Sequence, residues 1–280
     1  MIENIVVDGI INNALAEDLG WGDVTTDLTI PEATVMEGNF IAKEDGIICG
    51  IDICRRVFEI ADKNIEFRAF MKDGQRVFKG NIIAAIRGNA RSILKCERTA
   101  LNFFQRMSGI ATMTDKFVSL TSDLDVKVVD TRKTVPGLRV LDKYSVKVGG
   151  GFNHRFNLSD MILIKDNHIK AAGGINPAVA AARKNSSHAL KIEVEVESIK
   201  ELIEAIDAGA DIVMLDNMTL NMMREAVSIA GGKVLLEASG NVSLEGERNI
   251  RDIAETGVNI ISVGSLTNSS DSLDISLKFL

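Results

Sequence analysis

The stretch KIEVEVESIKELIEAIDAGADIVMLD, residues 191–216, decides the fold class. Short β-branched and aliphatic runs, Ile192–Val196 and Ile212–Leu215, stand at its two ends. A helical pattern over Ile199–Ala208 lies between them. A strand, a helix and a second strand with short joints predict two parallel strands linked by a helical crossover. Outward from this unit the alternation continues. Further strands are predicted at Val126–Val129, Met161–Ile164, Val234–Leu236 and Ile260–Val263, and further helices at Leu220–Ala230 and Leu244–Thr256. A closed eight-stranded barrel takes roughly 250 residues. About six strands in the shorter span 111–269 predict an α/β class with an incomplete, open barrel.

Residues 1–110 read differently. A helix is predicted over Asp8–Asp18, ending at Gly20, followed by strands near Met36–Lys43, Glu66–Met71 and Ile82–Ile86 and a long helix from Ser92 toward Met107. This predicts a smaller α+β domain. In the tail 270–280, apolar Leu273, Ile275, Leu277 and Phe279 alternate with polar Asp274, Ser276 and Lys278. That period of two predicts an edge strand with one buried face, returning to the N-terminal domain.

Composition narrows the function classes. Of 280 residues, 46% are hydrophobic and 25% charged, as in ordinary globular domains. A net charge of −7 and 5% aromatic residues disfavour a general binder of nucleic acid or anionic membrane. No apolar run is long enough to span a bilayer. Met1-Ile2-Glu3-Asn4 lacks the basic and apolar segments of a signal peptide. Three cysteines, Cys49, Cys54 and Cys96, are too few and too irregularly spaced for a disulfide framework or a zinc site. The expectation is a cytoplasmic protein.

The chemistry gathers where predicted strands end. Val126–Val129 runs into Asp130-Thr131-Arg132-Lys133, and Met161–Ile164 into Lys165-Asp166-Asn167-His168. Ile212–Leu215 runs into Asp216-Asn217, Val234–Leu236 into Glu237-Ala238-Ser239-Gly240-Asn241, and Ile260–Val263 into Gly264-Ser265. In α/β barrels the carboxyl ends of strands carry the active site. Loop polarity or helix capping accounts for one or two of these, not for all five. Glu193, Glu195 and Glu197 alternate along one strand and share a face. Such a row is costly unless cations, metal or solvent meet it. The alternative is an exposed edge strand.

Arg132, Lys133, Arg155, His154 and Lys165 form a basic set, two of them behind the run Gly149-Gly150-Gly151. Converging cations call for a polyanionic ligand, and the planar fork of arginine suits carboxylate and phosphate. Separate surface charges are the alternative. Glu195 and Asp216 offer hard oxygens for Mg²⁺ or acceptors for ribose hydroxyls. The small turns Ser239-Gly240-Asn241 and Gly264-Ser265 follow consecutive late strands, where barrel loops often hold phosphate on backbone N–H groups. Together the pattern asks for a polyanion carrying a sugar and a metal.

At this point the sequence resembles the quinolinate phosphoribosyltransferases. The resemblance is carried by Glu17-Asp18-Leu19-Gly20-Trp21-Gly22-Asp23-Val24-Thr25-Thr26, Glu97-Arg98-Thr99-Ala100-Leu101-Asn102, Asp130-Thr131-Arg132-Lys133-Thr134, Asn153-His154-Arg155 and Leu163-Ile164-Lys165-Asp166-Asn167-His168. Glu193-Val194-Glu195-Val196, Leu215-Asp216-Asn217 and Ser239-Gly240-Asn241 complete it, in order along nearly the whole chain. It implies an N-terminal α+β sandwich domain beside the open α/β barrel, and transfer of phosphoribosyl from phosphoribosyl pyrophosphate to quinolinate with decarboxylation, in a homodimer that uses Mg²⁺. It further implies that Arg132, His154, Arg155 and Lys165 bind quinolinate, with Thr131 beside them and Arg98 supplied by the neighbouring subunit. Lys133 would lie near pyrophosphate, and Glu195 and Asp216 would serve ribose and Mg²⁺. Ser239–Asn241 and the turn Val263, Gly264, Ser265 would hold the 5′-phosphate. Lys133, Lys165, Glu195 and Asp216 are the expected catalytic set.

Three other readings stay open at this level. Lys165 at a strand end also suits a Schiff-base lyase. Phe70-Met71-Lys72-Asp73-Gly74 superficially resembles a biotin-attachment site. A molybdate-transport-associated group is close to the same family. His168 either meets ligand or orients Lys165. Trp21 reads as a plug in an interdomain gap, Met222-Met223 as core, and His188 as a solvent-facing loop residue.

Overall fold

The computed structural model describes residues 4–280; Met1–Glu3, where the absence of a signal peptide was read, lie outside the described residues. In chain order the elements are α1 (Asn4–Leu19), α2 (Val24–Thr29), β1 (Val35–Ala42), β2 (Gly46–Ile47), α3 (Ile51–Ala61), β3 (Glu66–Ala69), β4 (Arg76–Val77), β5 (Ile82–Asn89) and α4 (Ala90–Ser119). Then follow β6 (Lys127–Val129), α5 (Arg139–Val148), β7 (Ile162–Ile164), α6 (Asp166–Ala172), α7 (Ile175–Asn185), β8 (Ile192–Val196), α8 (Ile199–Asp207) and β9 (Ile212–Asp216). Last come α9 (Leu220–Ala230), β10 (Leu235–Ser239), α10 (Ile250–Ala254), β11 (Ile260–Ser262), α11 (Ser265–Asn268) and β12 (Ile275–Phe279).

The chain forms two compact units. The first holds the chain up to Asp115, Thr134–Gly150 and Thr267–Leu280; the second holds Lys116–Lys133 and Gly151–Leu266. In the first, an antiparallel sheet runs β12-β1-β5-β3, so the alternating tail is an edge strand on β1. Phe40 of β1 sits at the centre of its core. Phe58, Phe67 and Phe104 surround it with ring centroids 6.1, 5.6 and 6.4 Å away. Residues 134–150, read from sequence as part of the barrel, belong with this unit. Leu141 is buried in the same core, and Asp142 takes a paired hydrogen bond from Arg106 at 3.0 and 2.8 Å. Contacts between such distant segments leave no mark on local periodicity. Trp21 is fully exposed and plugs nothing in the chain.

Gly109 of α4 permits one close crossing. A Cβ there would lie 2.0 Å from the Asp271 carbonyl oxygen. Gly109→Ala is expected to lower stability by about 1–3 kcal/mol through overpacking. Gly9→Ala, in α1 with no atom within 4 Å, is expected to raise it by about 0.4–1 kcal/mol. Thermal melts of the two variants, moving in opposite directions from wild type, check this.

The second unit is a six-stranded parallel sheet in the order β6-β11-β10-β9-β8-β7. Its end strands β6 and β7 do not pair, which makes it an open barrel. β8 lies between β9 and β7, so its glutamates are not on an edge. The crossover helices start where polar caps fall. Ser198, Thr219 and Asn249 accept the N–H of Glu201, Met222 and Asp252 at the starts of α8, α9 and α10. The helix expected over Leu244–Thr256 is confined to Ile250–Ala254. Gly246 with φ 93° and the Asn249 cap hold the preceding residues in a loop closed by Ser243 and Arg248.

Candidate active site

Register sets the floor of the site. Glu195 pairs with Met214, and Met214 with Glu237, so these side chains share one face of the sheet. Asp216 and Ser239 stand two residues further on, hence on the same face at the strand ends. Above them opens a cavity of about 530 Å³. Thr131, Arg132 and Lys133 line it after β6, with His154 and Arg155 from the following loop and Lys165 from the end of β7. Glu195, Asp216, Asn217, Glu237, Ser239, Gly240, Asn241 and Ser262 complete its polar wall. Most of the residues singled out from sequence thus meet in one place. Val263, Gly264 and Ser265 are not in the lining, and Ser262 stands there instead. Val263 cannot offer its N–H to a ligand, because Val129 O accepts it at 2.9 Å. Arg98 is exposed on α4 and is not in the lining either.

The cations are crowded and anchored. Burial, then the charge of Arg132, lowers the pKa of Arg155. One Arg155 Nη donates to Met161 O at 3.0 Å, which fixes the guanidinium plane. Lys165 Nζ is ion-paired with Glu195. That is the opposite of the apolar niche in which a Schiff-base lysine works, and it removes the main support for the lyase reading. His168 Nδ1 accepts the Lys165 N–H at 2.9 Å, so His168 orients the backbone of that lysine. Lys72 of the biotin-like stretch is an exposed turn residue, while the neighbouring Asp73 accepts from the N–H of Gly50 and Ile51 at the start of α3 and from Tyr144.

The glutamate row is met as its cost requires. Beneath the cavity, His154 Nε2 lies 3.2 Å from buried Glu193 and 3.4 Å from buried Glu237. Desolvation opposes charge on the ring, but the two carboxylates outweigh it and push the His154 pKa up to about 10. Burial raises Glu193 to about 6 against the pull of His154. These three groups are close enough to share a metal ion. However, a ring charged by that shift holds a proton on Nε2, between the two carboxylates. The ring lacks the Nε2 lone pair a metal needs, and the trio reads as a charge-paired support.

Glu195 and Asp216 are different. They stand on adjacent strands, open to the cavity, as two hard oxygen donors without a complete protein cage. That donor set fits Mg²⁺, which commonly takes one or two carboxylates plus substrate oxygens and water.

A web of bonds shapes the turn after β10. Asn217 and Asn241 both have left-handed backbones, φ 53° and 50°, and Gly240 has φ 96°. A Cβ on Gly240 would lie 2.2 Å from Asn217 Oδ1. Arg248 donates to Gly240 O at 2.8 Å, Met218 O at 2.5 Å and Ser239 O at 3.2 Å. Sequence reasoning missed Arg248, because it fell inside an expected helix. It also passed over Glu193 and Glu237 as partners of His154; their place on an inward-facing strand was the available signal.

The comparisons with known proteins agree with this geometry. A model of the quinolinate phosphoribosyl transferase C-terminal domain matches residues 110–278, and one of the N-terminal domain matches residues 23–108. The chain belongs to the quinolinate phosphoribosyltransferase family. The probable nicotinate-nucleotide pyrophosphorylase [carboxylating] of Bacillus subtilis is 44% identical over 96% of this chain and 91% of that protein. The crystal structure of NadC from Streptococcus pyogenes has a TM-score of 0.94 at 41% identity, covering 100% of this chain and 99% of its own. The nicotinate-nucleotide pyrophosphorylase from Francisella tularensis has a TM-score of 0.93 at 46% identity, covering 100% and 98%. The family boundary near residue 110 is thus one of sequence, whereas residues 134–150 of this family member pack with its first unit.

Proposed function

We propose that this cavity joins quinolinate to phosphoribosyl pyrophosphate and releases nicotinate mononucleotide, pyrophosphate and carbon dioxide, a reaction of NAD biosynthesis. One observation carries the reading: Arg132, Lys133, Arg155 and Lys165, from three separate segments, line the same cavity as Glu195 and Asp216. Arg132, Arg155 and Lys165 pair with the two carboxylates of quinolinate, with Thr131 and His154 in the wall beside them. Lys133 faces the departing pyrophosphate. Glu195 and Asp216 take the ribose hydroxyls and would hold Mg²⁺, which, when bound, supplies charge neutralisation to the pyrophosphate. The Ser239–Asn241 turn seats the 5′-phosphate. We further propose a homodimer in which Arg98 of one chain completes the quinolinate site of the other. Three free, buried cysteines fit a reducing compartment, and we place the enzyme in the cytoplasm. No helix among the described residues is long and apolar enough to cross a membrane.

The reaction needs no protein nucleophile. The pyridine nitrogen attacks C1 of the ribose as the C1–O bond to pyrophosphate breaks through an oxocarbenium-like state. The protein's part is to align the ring nitrogen with C1 and to neutralise the leaving group. The ring nitrogen is then a cation. It stabilises the electron pair left on the adjacent carbon when the C–CO₂ bond breaks, and a proton takes the place of the lost carboxylate.

Incubating the protein with quinolinate, phosphoribosyl pyrophosphate and Mg²⁺ is expected to yield nicotinate mononucleotide, detected by NMR or mass spectrometry, in step with released CO₂. Absence of this product, or equal turnover of nicotinate, would overturn the assignment.

A further inference from the structure

We propose that Arg248 is a positioning residue for the phosphoribosyl substrate: it turns the peptides of the Ser239–Asn241 turn so that their N–H groups face the cavity. The inference rests on the reading of that turn as the phosphate seat. Arg248 is not in the cavity lining. Its guanidinium instead binds three carbonyls from behind, those of Met218, Ser239 and Gly240.

A trans peptide holds its C=O and the next residue's N–H in one plane, pointing opposite ways. No peptide among the described residues is cis. Drawing Ser239 O and Gly240 O toward Arg248 therefore drives the N–H of Gly240 and of Asn241 the other way. No protein acceptor among the described residues takes either N–H, and both residues line the cavity. Consecutive free N–H groups in glycine-bearing, left-handed backbone form the kind of concavity that binds an anion. The left-handed φ of Asn241 and the positive φ of Gly240 are the conformations this requires. They are not favoured on their own for a non-glycine residue, so something must hold them. Arg248 supplies the hold through three directional bonds, with Asn217 N–H adding a bond to Ser239 O at 3.0 Å. Only the rigid fork of an arginine reaches several acceptors at fixed angles; a lysine in its place is a point charge on a flexible stem.

The test uses Arg248→Met and Arg248→Lys in the full chain, with steady-state kinetics for each substrate. The expected result for Arg248→Met is a KM for phosphoribosyl pyrophosphate raised roughly 10- to 100-fold, as loss of one or two kcal-scale bonds to the seat implies. The KM for quinolinate stays within about twofold, because its cations are on other strands. Arg248→Lys recovers only part of the loss. A parallel rise in both KM values, or no rise in either, overturns the role. If Arg248→Met does not fold, Arg248→Lys alone is read by the same split. Titration with ribose 5-phosphate, followed on the amide signals of Gly240 and Asn241, separates the phosphate seat from the role of Arg248. Wild-type signals that do not move contradict the phosphate seat itself. Wild-type signals that move, with unchanged ribose 5-phosphate affinity in the variants, contradict Arg248 alone.

Discussion

Arg155→Ala is expected to lower kcat/KM for quinolinate by roughly 30-fold to several-thousandfold, the equivalent of about 2–5 kcal/mol for leaving a desolvated charge without its partner. The size follows from the surroundings. Arg155 is partly buried and already pressed by Arg132, which lowers its pKa. Two such cations held side by side cost free energy when the cavity is empty, and a dianion between them relieves that cost. Removing one leaves a carboxylate of the ligand without its partner in a partly desolvated site. Arg155→Lys is expected to recover less than half of the lost transition-state stabilisation, since a point charge does not reproduce two parallel hydrogen bonds. The affinity for phosphoribosyl pyrophosphate is expected to change little in either variant. Steady-state kinetics with each substrate varied in turn checks both statements, and an unchanged kcat/KM for quinolinate in Arg155→Ala contradicts the assignment.

Mixing two inactive variants, Arg98→Ala and Lys165→Ala, is expected to restore activity. If each site combines its own Lys165 with Arg98 of the neighbour, a mixed dimer has one site with both residues and one with neither. Random exchange in a twofold dimer makes about half of the dimers mixed, so about one quarter of all sites recover. Arg98 alone is an exposed arginine on a long helix, absent from the lining of the cavity. Activity from the mixture, against almost none from either variant alone, would tie it to that cavity. No recovery, with mixed dimers shown to form by native mass spectrometry, contradicts the shared site.

Much of the site was readable from the sequence because chemistry and topology coincide there. Asp216 and Ser239 are the final residues of β9 and β10, Lys165 directly follows β7, and Arg132 lies in the loop just after β6. Parallel strands point all their carboxyl ends the same way, so a strand–polar junction repeated along the chain becomes a single ring in space. The Glu193, Glu195 alternation was equally legible, and pairing of β8 on both sides, with β9 and β7, kept its glutamates off the sheet edge. What sequence could not supply were pairings across long separations. His154 lies between Glu193 and Glu237, which are distant in the chain and adjacent only in the sheet. Arg248 sits in a loop whose helix-like apolar spacing hid the turn made at Gly246 and the cap at Asn249. Residues 134–150 follow the first barrel strand, yet Leu141 joins the core that holds Phe104, and Asp142 pairs with Arg106 on α4, which only packing reveals. Trp21 misled because a large aromatic side chain usually seeks cover, and in the chain it has none.

The central claim is that the cationic ring recognises two negative charges on one aromatic ring. Calorimetric titration of the protein with quinolinate and with nicotinate tests it most directly, since the two differ by one carboxylate. Quinolinate is expected to bind tighter by about tenfold or more, the worth of one charge-assisted contact, with the preference falling sharply in Arg155→Ala. Equal affinities for the two acids in the wild-type protein would contradict the account.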